Sequence, residues 1–208
     1  VKFAQYQRLF GFGSKTGIDL PSEENGIIKK SDMSETDVAT NAFGQNINVT
    51  MIQMGAAFSS LINGGNYYQP HIVKRIEKDT GEVVKTFEPT LVRQTVTAST
   101  SQLLRKYLKS TVDDGLAKKA GVTGYSIGGK TGTAQESQKR GNHAFFISFA
   151  PYENPEISVT VSIPNGYSSS NAAMVAKHVY RYFYGYASLD DILNSGALDA
   201  SNERINGD

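Results

Sequence analysis

Cysteine is absent from the 208 residues, which excludes a disulfide framework and any thiolate-bound metal and is compatible with an oxidising extracytoplasmic space. Histidine is scarce: His71, His143 and His178 are too scattered for metal-ligand spacing and read as ordinary surface or packing residues. Neither sign of charge prevails. Lys and Arg number 21 against 20 Asp and Glu, with no basic block that would point to nucleic acid or anionic lipid. No stretch approaches the roughly 20 apolar residues of a membrane helix. The N-terminus lacks the basic, then apolar, then small-residue order of a signal peptide. Internal repeats and low-complexity tracts are missing as well.

What remains has the size of one domain. It opens on Val1 without an initiator Met, and VKFAQYQRLF reads as the end of an apolar-periodic helix, so the chain is expected to begin inside a larger unit. GFGSKTGIDLPSEENG is dense in Gly, Pro, Ser and Asp, which predicts an ordered loop, and a long connection follows to about residue 49. Thr50-Met-Ile-Gln53 has the form of a capping box, and the helix it opens, MIQMGAAFSSLI, should stop at Asn63-Gly64-Gly65. HIVKRIE and EVVKTFE flank Lys78-Asp79-Thr80-Gly81 and predict a β-hairpin. Ser99-Thr-Ser-Gln102 reads as a second capping box before Leu103, Leu104, Tyr107, Leu108 and Val112, with Gly115 as the stop.

The last third has another character. YSIGGKTGTAQ, HAFFISFAP and PEISVTVSIP predict three consecutive strands of an antiparallel meander, joined by a Lys/Arg/Gly turn and by Tyr152-Glu153-Asn154-Pro155. NAAMVAKHVYRYFYG predicts an amphipathic helix, from 171 to 184, on one sheet face. Residues 1–186 therefore form the domain, and 187–208 a polar, weakly ordered tail.

Gly128-Gly129-Lys130-Thr131-Gly132-Thr133 is the candidate site. Glycine packs nothing and loses the most backbone entropy, so a strand with three of them marks a place where a ligand or another backbone comes close. Alternation puts Thr131 and Thr133 on one face, where both hydroxyls can reach one bound group. Lys130 falls on the opposite pleat but is long enough to curl round and supply positive potential. An anion, most simply a carboxylate, suits this set. The strand's N–H groups suit a developing oxyanion. Lys-Thr-Gly also occurs at Lys15-Thr16-Gly17, but there Asp19 and Pro21 favour a turn, and a structural role is expected.

GFGSKTGIDLP, VTMIQMGAAFSSLINGG, GGKTGTAQ, NHAFFISFAPYENPEI and IPNGYSSSNAA together resemble monofunctional class B penicillin-binding proteins, most of all the elongation-type penicillin-binding protein 2 group, from Phe3 to about Tyr186. The resemblance implies the C-terminal half of an α/β (α+β) transpeptidase fold of the penicillin-binding-protein and β-lactamase type. It implies an acyl-serine D,D-transpeptidase of peptidoglycan cross-linking at the extracytoplasmic face of the cell membrane, without metal or cofactor. Lys130 would support proton transfer and anion binding. Thr131, Gly132 and Thr133 would bind the carboxylate of a D-Ala-D-Ala stem peptide or of a β-lactam, and the Thr133 N–H would be half the oxyanion hole.

Two signatures of the family are not met: no serine has a lysine three residues on, and the single Ser-x-Asn, Ser169-Ser170-Asn171, follows Lys-Thr-Gly instead of preceding it. A Ser/Asn cluster before an apolar-periodic run reads as a helix N-cap. The nucleophile is therefore expected on a missing N-terminal half, and the 208 residues alone are expected to be inactive. A β-lactamase or D,D-carboxypeptidase fragment shares the same strand, and a non-catalytic module that binds D-Ala-D-Ala or a protein partner is the alternative from another class.

Overall fold

A computed structural model describes residues 2–29, 33–135 and 141–194. The chain divides into two compact units, Val1–Gln102 and Leu103–Asp208. Among the described residues no helix is long and apolar enough to cross a membrane.

The first unit contains α1 (Lys2–Leu9), α2 (Glu35–Ala42), α3 (Met51–Ile62) and the strands β1 (Asn66–Gln69), β2 (Arg75–Glu77), β3 (Val83–Thr86) and β4 (Thr90–Gln94). The Thr50 to Gln53 capping box forms as expected, and Gln53 does more than cap. Its Oε1 accepts the Thr50 N–H while its Nε2 donates to the carbonyls of Ser14 and Asn25, at 2.7 and 2.8 Å. A fully buried amide with both ends satisfied thus holds the Gly-rich loop to the start of α3. The helix ends at Asn63, and Gly64 and Gly65 follow with φ of 94° and 98°, which L side chains rarely adopt. β2 and β3 make the expected hairpin, closed by a Lys78 to Glu82 ion pair of 2.7 Å.

Three features depart from the sequence reading. The long connection before residue 49 contains α2, with a capping box of Ser34 and Asp37. β1 and β4 pair across 20 intervening residues, with Arg93 stacked 4.2 Å from the ring centroid of the buried Tyr67. The helix expected to be capped by Ser99 is capped two residues earlier, where the Thr97 hydroxyl accepts the Thr100 N–H, and it begins at Ala98. Ser101 serves elsewhere: its hydroxyl donates to the Leu61 carbonyl and accepts the Gly64 N–H, joining the ends of α3 and α4 (Ala98–Asp113).

In the second unit β5 (Gly128–Ala134), β6 (His143–Ala150) and β7 (Ile157–Ile163) form one antiparallel sheet in the order β5-β6-β7, the predicted meander. The turn between the first two strands lies outside the described residues. α5 (Ser169–Phe183) covers one face, two residues ahead of its expected start. It does so through Ala172, Ala173, Ala176 and Tyr180, which pack with Ala144, Phe146 and Val159 in the core. Three small side chains on one stripe bring the helix axis close to the sheet. The start of the expected tail is helical over 189–194, capped by Ser188, whose hydroxyl accepts the Asp191 N–H. The residues beyond 194 are outside the described set.

Candidate functional site

Cross-strand register fixes which way each residue of β5 faces. Gly129, Thr131 and Thr133 stand opposite Ser148, Phe146 and Ala144, and Lys130 and Gly132 stand opposite Ile147 and Phe145. Thr131 and Thr133 therefore share one face, as alternation requires, and it is the face that Phe146 and Ala144 turn toward α5. They lie at its margin, Thr131 half-buried and Thr133 exposed. Lys130 is exposed and folded back along its own strand, its Nζ donating to the Thr131 carbonyl at 2.7 Å.

The glycines have two different reasons. A Cβ on Gly128 would meet the Phe149 ring at 2.6 Å, and one on Gly129 would meet Phe146 Cζ at 2.6 Å and the Ile147 carbonyl at 2.8 Å. What comes close at these two positions is the protein's own core, and no ligand is needed to account for them. Gly132 differs, since a Cβ there would rest 3.4 Å from Phe145 Cβ, an ordinary contact. Only this third glycine leaves room beside the strand.

Among the described residues β5 pairs with a strand on one edge only, that of β6. On the other edge the Thr111 hydroxyl of α4 donates to the Gly129 carbonyl, and Lys130 Nζ takes the Thr131 carbonyl. In antiparallel pairing alternate residues turn both backbone groups to the same edge. The N–H groups of Thr131 and Thr133 therefore face that unpaired edge too. A row of outward N–H groups beside a primary ammonium can receive an extended chain ending in an anion.

The other candidates are accounted for structurally. In Lys15-Thr16-Gly17 the Glu23 carboxylate accepts the Thr16 N–H and hydroxyl, each at 2.6 Å, and the Gly17 N–H at 3.0 Å. Burial works against the charge of Glu23, but these donors outweigh it and hold its pKa below the ordinary value. Ser169-Ser170-Asn171 forms the first turn of α5. Its cap is one residue earlier than read, with Ser168 Oγ accepting the Ser170 N–H and Asn171 Nδ2 donating to the Gly166 carbonyl. Ser126 is tied to the Glu153 carboxylate and accepts the Tyr152 N–H, beside the β6 to β7 connection. Thr111 escaped the sequence reading, since helical periodicity marks the face of α4 but not what a hydroxyl there meets 18 residues on.

The chain matches the family model described as penicillin binding protein transpeptidase domain over residues 1–181. It is 42% identical over 171 residues to stage V sporulation protein D of Bacillus subtilis, covering 79% of this chain and 26% of that protein. To the peptidoglycan D,D-transpeptidase MrdA of Acinetobacter baumannii it is 28% identical, covering 86% of this chain and 30% of the relative. The chain thus spans about a quarter to a third of the length of these relatives. Among solved structures, penicillin-binding protein 3 of Mycobacterium tuberculosis complexed with ampicillin superposes with a TM-score of 0.76 at 25% identity, covering 87% of this chain and 45% of the other. Penicillin-binding protein 2B of Streptococcus pneumoniae gives 0.76 at 27% identity, covering 88% and 32%. Sequence and fold agree over both units, and with the family model running from α1 almost to the end of α5, this chain belongs to the penicillin-binding protein transpeptidase domain family.

Proposed function

We propose that this chain supplies the Lys-Thr-Gly-Thr part of an elongation-type D,D-transpeptidase that cross-links peptidoglycan on the outer side of the cell membrane. The observation that carries this reading is the edge of β5 that no strand pairs among the described residues, where the N–H groups of Thr131 and Thr133 and the exposed Lys130 line one side of the strand. A stem peptide ending in D-Ala-D-Ala can lie extended along that edge as an added strand. Lys130 and the two threonine hydroxyls, reaching the edge from opposite faces of the strand, bind its terminal carboxylate, and the space beside Gly132 on the Lys130 face leaves the ammonium room to turn toward it. The Thr133 N–H supports the oxyanion, an interaction worth about 100-fold to 1,000-fold in rate at well-formed sites. A β-lactam carries a carboxylate in the same relation to its reactive carbonyl, and a solved relative is described as complexed with ampicillin. None of these steps calls for a metal or cofactor.

The acyl group must form on a serine hydroxyl next to a base. No serine of the 208 residues has a lysine three residues on. The nucleophile therefore comes from a segment outside these residues, together with the second oxyanion donor, and residues 1–208 alone form no acyl-enzyme. Incubation with a fluorescent penicillin, followed by a denaturing gel and intact mass, tests this. The chain alone should stay unlabelled. Joined to a segment bearing Ser-x-x-Lys and Ser-x-Asn, it should take one adduct. A stoichiometric adduct on the chain alone would move the nucleophile to one of its own serines and overturn the reading.

A further inference from the structure

We infer that Thr111 is a positioning residue for the Lys-Thr-Gly-Thr strand, an inference that rests on the transpeptidase reading. Its side chain leaves α4 and donates to the carbonyl of Gly129, the residue directly before Lys130. The same hydroxyl lies 2.8 Å from the Leu108 carbonyl of its own helix, so its one hydrogen is shared between helix and strand.

The contact sits where β5 has the fewest side chains of its own to hold it. With two consecutive glycines, residues 128 and 129 contribute no side chains to fix the strand's rotation about its axis. Phe149 on one face of the strand and Phe146 on the other fill the space where the Cβ atoms of Gly128 and Gly129 would be. Near Gly128 stands α4 itself, its Lys109 nitrogen 3.1 Å from the place of a Cβ. Thr111 adds the directional element: a hydrogen bond on the edge that β6 does not occupy. Fixing the Gly129 carbonyl fixes the peptide plane that leads into Lys130. By the strand's alternation it also fixes the direction of the Thr131 and Thr133 N–H groups. A further consequence is that the Gly129 carbonyl on that edge is held by a neighbouring helix, whereas the Thr131 carbonyl is held only by the exposed Lys130 side chain, so an extended ligand can begin to pair at Thr131 by displacing it.

Thr111 touches no reacting atom, and its effect is on the geometry of groups that do. Displacements of about 1 Å at such groups can cost about 100-fold in rate. One hydrogen bond of ordinary strength corresponds to about fivefold.

The test compares Thr111→Val, which keeps the shape and loses the hydroxyl, with Thr111→Ser, which keeps the hydroxyl, in the full-length protein. Hydrogen exchange followed by mass spectrometry reports the β5 and α4 peptides separately. Thr111→Val should lose protection over 126–135 with α4 little changed, and Thr111→Ser should restore it. In penicillin acylation, Thr111→Val should lower the maximal acylation rate about fivefold or more while changing the affinity of the preceding complex less, and Thr111→Ser should stay near wild type. Unchanged β5 protection in Thr111→Val, or loss confined to α4, overturns the inference. So does a wild-type acylation rate in that variant, or one lowered only through fewer titratable sites and a lower Tm. A wild-type protein that penicillin does not acylate would overturn the transpeptidase reading, and the exchange arm would still decide whether Thr111 holds β5.

Discussion

A methyl group on Gly129 would stand 2.6 Å from Cζ of Phe146, whereas the same group on Gly132, three residues along the strand, would rest 3.4 Å from Cβ of Phe145. The two glycines should therefore respond oppositely to alanine. Gly129→Ala must displace a fully buried ring and is expected to cost about 2 kcal/mol or more. Gly132→Ala should cost nothing or stabilise slightly, since alanine gives up less backbone entropy. Urea unfolding of the two variants checks this. If the space beside Gly132 gives the Lys130 ammonium room to turn as proposed, the stable Gly132→Ala protein should nonetheless be acylated more slowly by penicillin.

The duplicated Lys-Thr-Gly offers an internal control. Lys15 bonds through its backbone N–H, which donates to Asn25 Oδ1 at 3.1 Å, and the rest of its motif is absorbed by Glu23. Lys130 lies on the unpaired edge of β5 with its ammonium on the strand's own backbone. In the complete transpeptidase, Lys130→Ala should slow acylation by about 100-fold or more, and Lys15→Ala should leave it unchanged. Equal losses in two folded variants would assign the chemistry to the wrong copy.

The elements readable from sequence were those whose signals are local. Thr50 and Gln53 sit three residues apart and cap one another, and the alanines of α5 recur on one stripe that can only face a sheet. β5, β6 and β7 are adjacent in sequence as well as in space. β1 and β4 were not legible because Tyr67 finds Arg93 only after the β2 and β3 hairpin has intervened. Ser99 looked like a cap until Thr97, two residues earlier, took the N–H of Thr100. At the candidate site the residue types were legible and the reasons for them only in part. Gly128 and Gly129 answer to two phenylalanines on the next strand, and the Thr111 contact joins a helix and a strand by a hydroxyl that no local pattern distinguishes.

Acid should loosen the Gly-rich loop of the first unit. Asp19 accepts the N–H groups of Val73 and Ile72, at 2.9 and 2.7 Å, and these hold its carboxyl below the ordinary value of 3.8. Glu23 is likewise held below 4.5. Both pKa values are depressed on folding, so the stabilisation is fully present above the unfolded values and is lost as pH falls through them toward the folded ones. Exchange protection over residues 14–26 should therefore decline between about pH 5 and about pH 3. The double variant Asp19→Asn, Glu23→Gln should start lower and vary less over that range. A wild-type protein whose loop protection is flat in acid would contradict the assignment.

The second unit should show the opposite sensitivity, at alkaline pH, through Tyr180. Its hydroxyl donates to Ser148 Oγ at 2.8 Å, and neither residue is exposed to solvent. Burial pushes the phenol well above its ordinary 10, and the bond to Ser148 only partly offsets this. The folded value is thus raised above the unfolded one. The stabilisation that follows is complete below the unfolded value and is lost as pH rises through about 10 toward the folded value, because the unfolded chain can ionise where the folded one cannot. Tyr180→Phe removes both the titration and the bond. At neutral pH the variant should be about 1 kcal/mol less stable, the usual worth of a buried neutral hydrogen bond, since Ser148 keeps the Val159 carbonyl as an acceptor. Above about pH 10 that difference should shrink, as the wild type loses stability to ionisation of its unfolded state and the variant does not. Urea midpoints of the two proteins, measured from neutral to alkaline pH, should converge; parallel curves would mean that Tyr180 is not the group that the core keeps neutral.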